Sequence, residues 1–406
     1  MQRQSMLALM FCATLATGLS ATAQAQISGD AVIIGVLNDR SSVFADVTGE
    51  GSSIAARLAV EDYGGKVLGK RIEVVSADHQ NKPDIVGSVA GRWMDVDGVD
   101  AILDGGSSAA GLLIQKMAQD RGKIAILSGP ATSDLTGKAC SPTGFHWTYD
   151  TYALGSGTAR ALTAQGADTW FFLTSDYAFG HALERDATRF ITESGGKVVG
   201  GVRHPLNNPD FSSFLLQAQG SKAKIIGLAN SGDDALNAVK QAAEFGIVQG
   251  GQRLGGLLLL INQIHGLGLK AAQGVIVSEA FYWDQSDQTR AFTARFEAQA
   301  RKKPNMLQAG VYSATMHFLK AVEKSGTDDG VKVAEAMRAL PVNDFMSQNI
   351  TVRADGRVMR NMYLFEVKSP ADSKAPWDYY KQIGVIPGDK AFRPAAESEC
   401  PLLKKS

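Results

Sequence analysis

A chain of 406 residues, 45% apolar and 20% charged, is long enough to bury two cores. Its 41 basic and 41 acidic residues cancel. With no basic stripe and no long run of like charges, the sequence argues against a nucleic-acid binder or a charged interaction tail.

The first segment reads as a leader. Arg3 precedes an apolar centre from Met6 to Leu19, and Ala23-Gln24-Ala25 fits a small-residue cleavage site, so residues 1–25 read as a signal peptide and the mature chain as an exported protein starting at Gln26. As a membrane anchor the run is short for a bilayer core of about 30 Å. As a lipid anchor, Cys12 has the bulky Phe11 in front of it. Without the leader, Cys140 and Cys400 remain. In an exported chain this pair reads either as a disulfide tying the C-terminal tail to mid-chain or as two buried thiols.

Short apolar runs then alternate with helical patterns. Strands are predicted at 31–37, 72–78, 101–105 and 124–129, with helices at 47–64, 83–96 and 108–120 between them. After GFHWTYDTYALGSG the rhythm restarts, with strands at 169–175, 197–204, 223–231, 255–261 and 274–281. Helical patterns follow at 287–302, 308–325 and 330–339, and residues 350–367 alternate around Asp355-Gly356 as a hairpin. Continuous Val/Ile/Leu strands separated by amphipathic helices imply parallel sheets covered on both faces. The fold class is therefore α/β: two doubly wound, Rossmann-like lobes, joined near 145–150 and 278–284 by short strands rather than a linker, with a cleft between them.

Catalytic motifs are missing. Gly64 to Arg71 matches a phosphate loop except at its last place, where Arg71 replaces the hydroxyl, and it precedes a strand instead of following one. Gly155-Ser156-Gly157 is too short for a nucleophile elbow. The six histidines, at 79, 146, 181, 204, 265 and 317, lack metal-ligand spacing. No metal, cofactor or enzymatic reaction is expected.

Two strand ends do carry a signal. Gly105-Gly106-Ser107-Ser108 and Ser128-Gly129-Pro130-Ala131-Thr132-Ser133 each join a strand's carboxyl end to a turn or helix start. Glycines let the backbone approach a ligand, helix N-termini favour an anion, and hydroxyls add donors. Neither corner contains Arg or Lys, so a carboxylate suits them better than a phosphate. The alternative is that Ser107 and Ser133 are plain helix caps.

With the strand at IIGVL, the corners GGSSAA and SGPATSDLT, the segment TSDYAFG and the C-terminal hairpin, the chain resembles the leucine/isoleucine/valine-binding type of ABC-transporter solute receptor. The resemblance covers nearly the whole mature chain. It implies two lobes with three hinge crossings, here 26–148 plus 282–345 and 149–281 plus 346–385, with a tail at 386–406. It also implies a periplasmic monomer that closes on its ligand and delivers it to a membrane permease. By position, Ser107, Ser108, Pro130, Ala131 and Thr132 would hold the ligand's carboxylate and Phe44 would pack on its body. Tyr177 or Phe179 would close from the second lobe, with Tyr152 as a further aromatic.

Amino-acid receptors of this family place a glutamate after a late second-lobe strand, and here that strand delivers Asn262 and Gln263; the neighbouring tyrosine position falls near Asn230. A buried ammonium without a partner is costly. The expected ligand is therefore a carboxylate with an aromatic or branched apolar body. A leucine-like amino acid stays open if Asp233 or Asp234 points into the cleft. A sensor that signals to a partner protein is a further alternative, and a hydrolase a more remote one.

Overall fold

The computed structural model describes residues 26–166 and 168–404. The leader and Cys12 lie outside the described residues. The first lobe is built on a six-stranded sheet in the order Lys66–Val67, Lys70–Asp78, Ala31–Asn38, Ala101–Asp104, Ile124–Leu127, Gly144–His146. All neighbours are parallel except the short first pair, which turns the phosphate-loop look-alike into a surface hairpin. Burial on both faces explains the unbroken apolar runs: Val32, Ile34, Val36 and Leu37 are all solvent-free, two faces in one strand.

The second lobe carries a four-stranded parallel sheet in the order Arg253–Gly256, Ile225–Ala229, Thr169–Ser175, Lys197–His204. A separate three-stranded antiparallel sheet joins Ile276–Glu279, Met362–Val367 and Tyr380–Ile386. Helices Asp287–Ala300, Met306–Ser325 and Gly330–Ala339 return to the first lobe; Gly49–Tyr63 packs on the first two and Ile124–Leu127 on the third. The chain passes between lobes near 147–150 and 280–283, but the bridges Val342 with Ile350, Val352 with Val358 and His146 with Arg357 keep residues up to 358 with the first lobe, so the third crossing, expected at 345–346, falls near 359–361.

Two expected elements differ. Residues 255–261 are not one strand: the strand is Arg253–Gly256, and a helix starts at Ile261. The four leucines between them, Leu257 to Leu260, are buried as a connection, and a short all-apolar run has no periodicity to reveal that. The hairpin around Asp355-Gly356 is a tight turn closed by one antiparallel bridge, Val352 with Val358. Met362–Val367 finds its partners in Ile276–Glu279 and in Tyr380–Ile386, a strand the alternation did not single out.

Cys140 and Cys400 form a disulfide with Cα atoms 5.7 Å apart across 260 residues of sequence. The tail is therefore pinned to the first lobe.

Glu279 ends its strand 1% exposed and accepts a hydrogen bond from the Tyr380 hydroxyl at 2.6 Å. Burial pushes its carboxyl up from 4.5 to about 8, partly opposed by that hydrogen bond. Within this window the folded protein keeps a proton that the unfolded chain has released, so stability falls as pH rises through it. Glu279→Gln is expected to flatten this decline. Melting curves of both proteins across the window check it, and parallel profiles would refute the assignment.

Candidate functional site

The first corner begins where Ala101–Asp104 ends. Asp104, Gly105 and Gly106 take positive φ values of 75°, 81° and 62° in succession. This left-handed run turns the chain sharply into the helix Ser108–Arg121. At Gly106 a Cβ would lie 2.7 Å from Nε2 of His79 and 3.0 Å from the Asp39 amide, so the turn has room only for glycine. His79 is solvent-free, and burial holds its imidazole below the usual range despite the nearby Asp39 carboxylate.

The serines have distinct work. Ser107 caps the helix, accepting from the Ala110 amide at 3.4 Å, and its hydroxyl donates to Oδ1 of Asn81 at 2.6 Å. Ser108 accepts from the amides of Ala131 and Thr132 at 3.2 and 3.1 Å, which ties the second corner to the first. Its own proton is left to donate. In the second corner Thr132 caps the short turn Ser133–Thr136, and the Gly129 carbonyl accepts from the Tyr149 hydroxyl at 2.9 Å.

Phe44 is presented by a loop organised on Asp39, whose carboxylate accepts from the Phe44 amide at 2.9 Å and from the Ser42 amide and hydroxyl at 2.9 and 2.5 Å. Opposite, Tyr177 and Phe179 stand at the start of the helix Ala178–Glu193. The rings of Phe44, Tyr177 and Phe179 form a row with centroids 6.4 and 5.9 Å apart.

These groups line a narrow pocket: about 320 Å³ of space between atoms that runs out into solvent, of which about 20 Å³ is wide enough for a water-sized sphere. Of the residues singled out from sequence, Phe44, Ser107, Ser108, Ala131, Tyr177 and Phe179 line it. Five do not. Pro130 turns its carbonyl to Nε2 of His146 at 2.7 Å, and the Thr132 hydroxyl serves its cap. Tyr152 packs edge-on against Phe190 at 4.9 Å, with the Arg393 guanidinium 4.8 Å from its ring centre. Asn230 lies behind the lining, its side chain 3.1 Å from Nε2 of His204. Asn262 instead accepts from Nδ2 of Asn305 in the first lobe at 2.7 Å.

Gly106 and Gly129, read from sequence as parts of the two corners, also line the pocket, while sequence reasoning missed Val47, Tyr149, Ser231, Leu258, Leu260 and Leu307, which complete the wall. Tyr149 sits in a hinge crossing and Ser231 at a strand's carboxyl end, both positions that face a cleft. Leu258 and Leu260 were hidden by the apparent strand.

No lining residue is charged. Burial pushes the hydroxyls of Tyr149 and Tyr177 above the ordinary phenol range, so both stay protonated at neutral pH. Asp234 spends its carboxylate on the amides of Asn207 and Asn208, and Asp233 is exposed. Neither acid lines the pocket. Among the described residues no cluster of three His, Cys, Asp or Glu side chains is placed to hold a metal ion, and no helix is long and apolar enough to cross a membrane.

The lobes meet across the pocket. The Asp233 amide donates to the Val43 carbonyl at 3.1 Å, and Gly232, at φ 63°, lies against Val43 and Phe44.

Residues 31–374 match the family model described as periplasmic binding protein. The chain belongs to the periplasmic binding protein family. A periplasmic binding protein from Burkholderia mallei is 46% identical, with a TM-score of 0.90 over 92% of this chain and 99% of that one. A structure from Burkholderia xenovorans LB400, described as a branched chain amino acid ABC transporter periplasmic ligand-binding protein, is 40% identical, with a TM-score of 0.81 over 92% and 100% of the two chains. A solute-binding protein from R. palustris, in complex with benzoate, shares the fold at 21% identity, with a TM-score of 0.80 over 91% and 99%. Members of this family are exported solute receptors of ABC importers that bind a ligand and engage a permease, and this chain is such a receptor and not an enzyme.

Gly232 sits where the two lobes touch. A Cβ there would lie 2.3 Å from the Val43 carbonyl of the other lobe. Gly232→Ala should therefore weaken ligand binding at least about tenfold, a cost of ~1.4 kcal/mol. Gly246→Ala is the control: at φ 64° it carries the same backbone cost, but a Cβ's nearest neighbour is 3.9 Å away. Calorimetric affinities of both variants decide, and equal affinities would remove Gly232 from the closing contact.

Proposed function

We propose that this receptor traps a small carboxylate with an aromatic or branched apolar body. The supporting observation is the neutral pocket wall: hydroxyls and backbone amides meet a carboxylate, but no carboxylate is present to meet an ammonium. Ser108, with its free proton, and the amides at the start of Ser108–Arg121 take the anion. Ser107 and Ala131 shape that corner. Phe44, Phe179, Leu258, Leu260 and Leu307 enclose the apolar body. The Tyr177 hydroxyl, which has no hydrogen-bond partner among the described residues, offers a second donor from the opposite lobe. The benzoate complex of the R. palustris relative fits this reading.

A branched-chain amino acid is the second reading, favoured by the description of the Burkholderia xenovorans relative. It requires an acceptor for the ammonium, which here is limited to backbone carbonyls and hydroxyls.

A ligand that binds only the folded state raises the melting temperature. Benzoate, 4-hydroxybenzoate or a branched 2-oxo acid is expected to stabilise the mature protein, and leucine is not. Ser108→Ala should then cost about 1.5–3 kcal/mol in binding, the range for a hydrogen bond to a charged group. A leucine shift as large as that of the best carboxylate would overturn the proposal and establish the second reading.

A further inference from the structure

Beyond the three hinge crossings, the chain passes between the lobes once more. After the strand Tyr380–Ile386 the tail stays on the second lobe, where the Ser156 hydroxyl donates to the Ala391 carbonyl at 3.1 Å. It then runs to the first lobe, where Cys400 is bonded to Cys140 and Ser398 donates to the Thr136 carbonyl at 3.3 Å. Between these ends it grips the helix Ala178–Glu193 with two ion pairs, Arg393 to Asp186 at 3.0 Å and Glu397 to Arg189 at 2.6 Å.

Asp186 is the centre of this contact. It is 2% exposed, and its carboxylate accepts from Ser133 and Thr151 hydroxyls, both at 2.6 Å, as well as from Arg393. Ser133 belongs to the corner that contains Ala131. Asp186 stands roughly two turns along the helix that carries Tyr177 and Phe179 at its start. One buried carboxylate therefore fixes the pocket's second-lobe aromatics relative to its first-lobe corner. A buried carboxylate needs a cation. Arg185 reaches it from the half-exposed rim at 3.1 Å, while also pairing with Asp134 of the first lobe at 3.2 Å. Arg393 reaches it from the pinned tail, held by its own carbonyl, which accepts from Nη1 of Arg353 at 2.7 Å.

We propose that the tail is a disulfide-pinned strap, and that Arg393 is a positioning residue for ligand binding, acting through Asp186. The strap holds the helix Ala178–Glu193 in the place from which Tyr177 and Phe179 close the pocket. This inference rests on the pocket being the ligand site, as proposed above.

The test uses the mature full-length chain as wild type, Arg393→Ala, Arg393→Lys and the double variant Cys140→Ser/Cys400→Ser. Ligand dissociation is followed by stopped flow with the most stabilising carboxylate of the panel. Arg393→Ala should speed dissociation about tenfold, and Arg393→Lys should restore most of it, since Lys keeps the charge. The double cysteine variant should show a smaller increase, and adding Arg393→Ala to it should give no more than Arg393→Ala alone, because both act through one contact. A merely structural tail would lower the melting temperature and leave the dissociation rate of the folded protein unchanged; that result overturns the proposal, as does a Lys variant that behaves like Ala. If no ligand of the panel binds wild type, the functional reading fails and the strap is still tested: amides in 133–136 and 178–193 should exchange hydrogen faster in Arg393→Ala than in wild type. Equal exchange refutes it.

Discussion

The constraint on which the proposed site depends is holding an anion without a cation. A carboxylate leaving water loses strong hydration, and only dipoles fixed beforehand can replace it without further reorganisation. Here the fixing is done by backbone geometry. Three consecutive left-handed residues, Asp104, Gly105 and Gly106, aim a helix start into the cleft. Ser108 then ties that helix to the second corner by accepting two of its amides. The tightness of the turn follows from its neighbours. His79 and the Asp39 amide fill the space a side chain at Gly106 would need. Asp39 also organises, through its carboxylate, the loop that presents Phe44, so one buried residue shapes both the polar corner and its aromatic cover.

The hinge is built with comparable stiffness. Two solvent-free arginines from the third crossing clamp carbonyls of the first: Arg357 donates to the Tyr149 carbonyl at 2.9 Å and Arg360 to that of Trp147 at 3.1 Å. Burial pulls Arg357 down to about 9, opposed by Asp150 at 3.6 Å, and burial pushes Asp150 the other way, up to about 6, opposed by Arg357. Such charges are tolerated only while paired and hydrogen-bonded, so the contact ties the two crossings together. The second crossing is held separately. Tyr282 and Trp283 both donate to the Trp377 carbonyl, at 3.1 and 2.8 Å. Tyr149 belongs to the clamped crossing and to the pocket wall, so the hinge and the ligand site share a residue.

What could be seen in the sequence follows from where local pattern and tertiary position coincide. The parallel strands were legible because burial on both faces writes unbroken Val/Ile/Leu runs. The two corners were legible because Gly-Gly-Ser-Ser and Ser-Gly-Pro-Ala punctuate strand ends with residue types that have backbone reasons to be there. Leu257 to Leu260 misled because an apolar run reports burial and not the conformation that achieves it. Tyr152 and Tyr149 are three residues apart in one aromatic segment, and only the fold decides that the second faces the pocket while the first packs edge-on against Phe190. Asn262 was sought at a ligand and found at Asn305, because sequence places a residue near a cleft without saying which wall its side chain meets.

That last relocation bears on how the receptor works. Asn262 with Asn305, Gly232 with Val43 and Asp186 with Ser133 are contacts between lobes made by protein atoms. They hold the lobes in the arrangement described. A ligand shifts the balance between open and closed forms only by the difference in its affinity for the two. On the reading proposed above, a carboxylate held by Ser108 alone binds the first lobe equally well in either form and closes nothing. The closing force then comes from the same molecule also meeting Tyr177 and Phe179 of the second lobe. On that reading ligand size along that line governs closure, while charge governs entry. A neutral wall makes the distinction sharp, because there is no charged side chain whose attraction could substitute for reach.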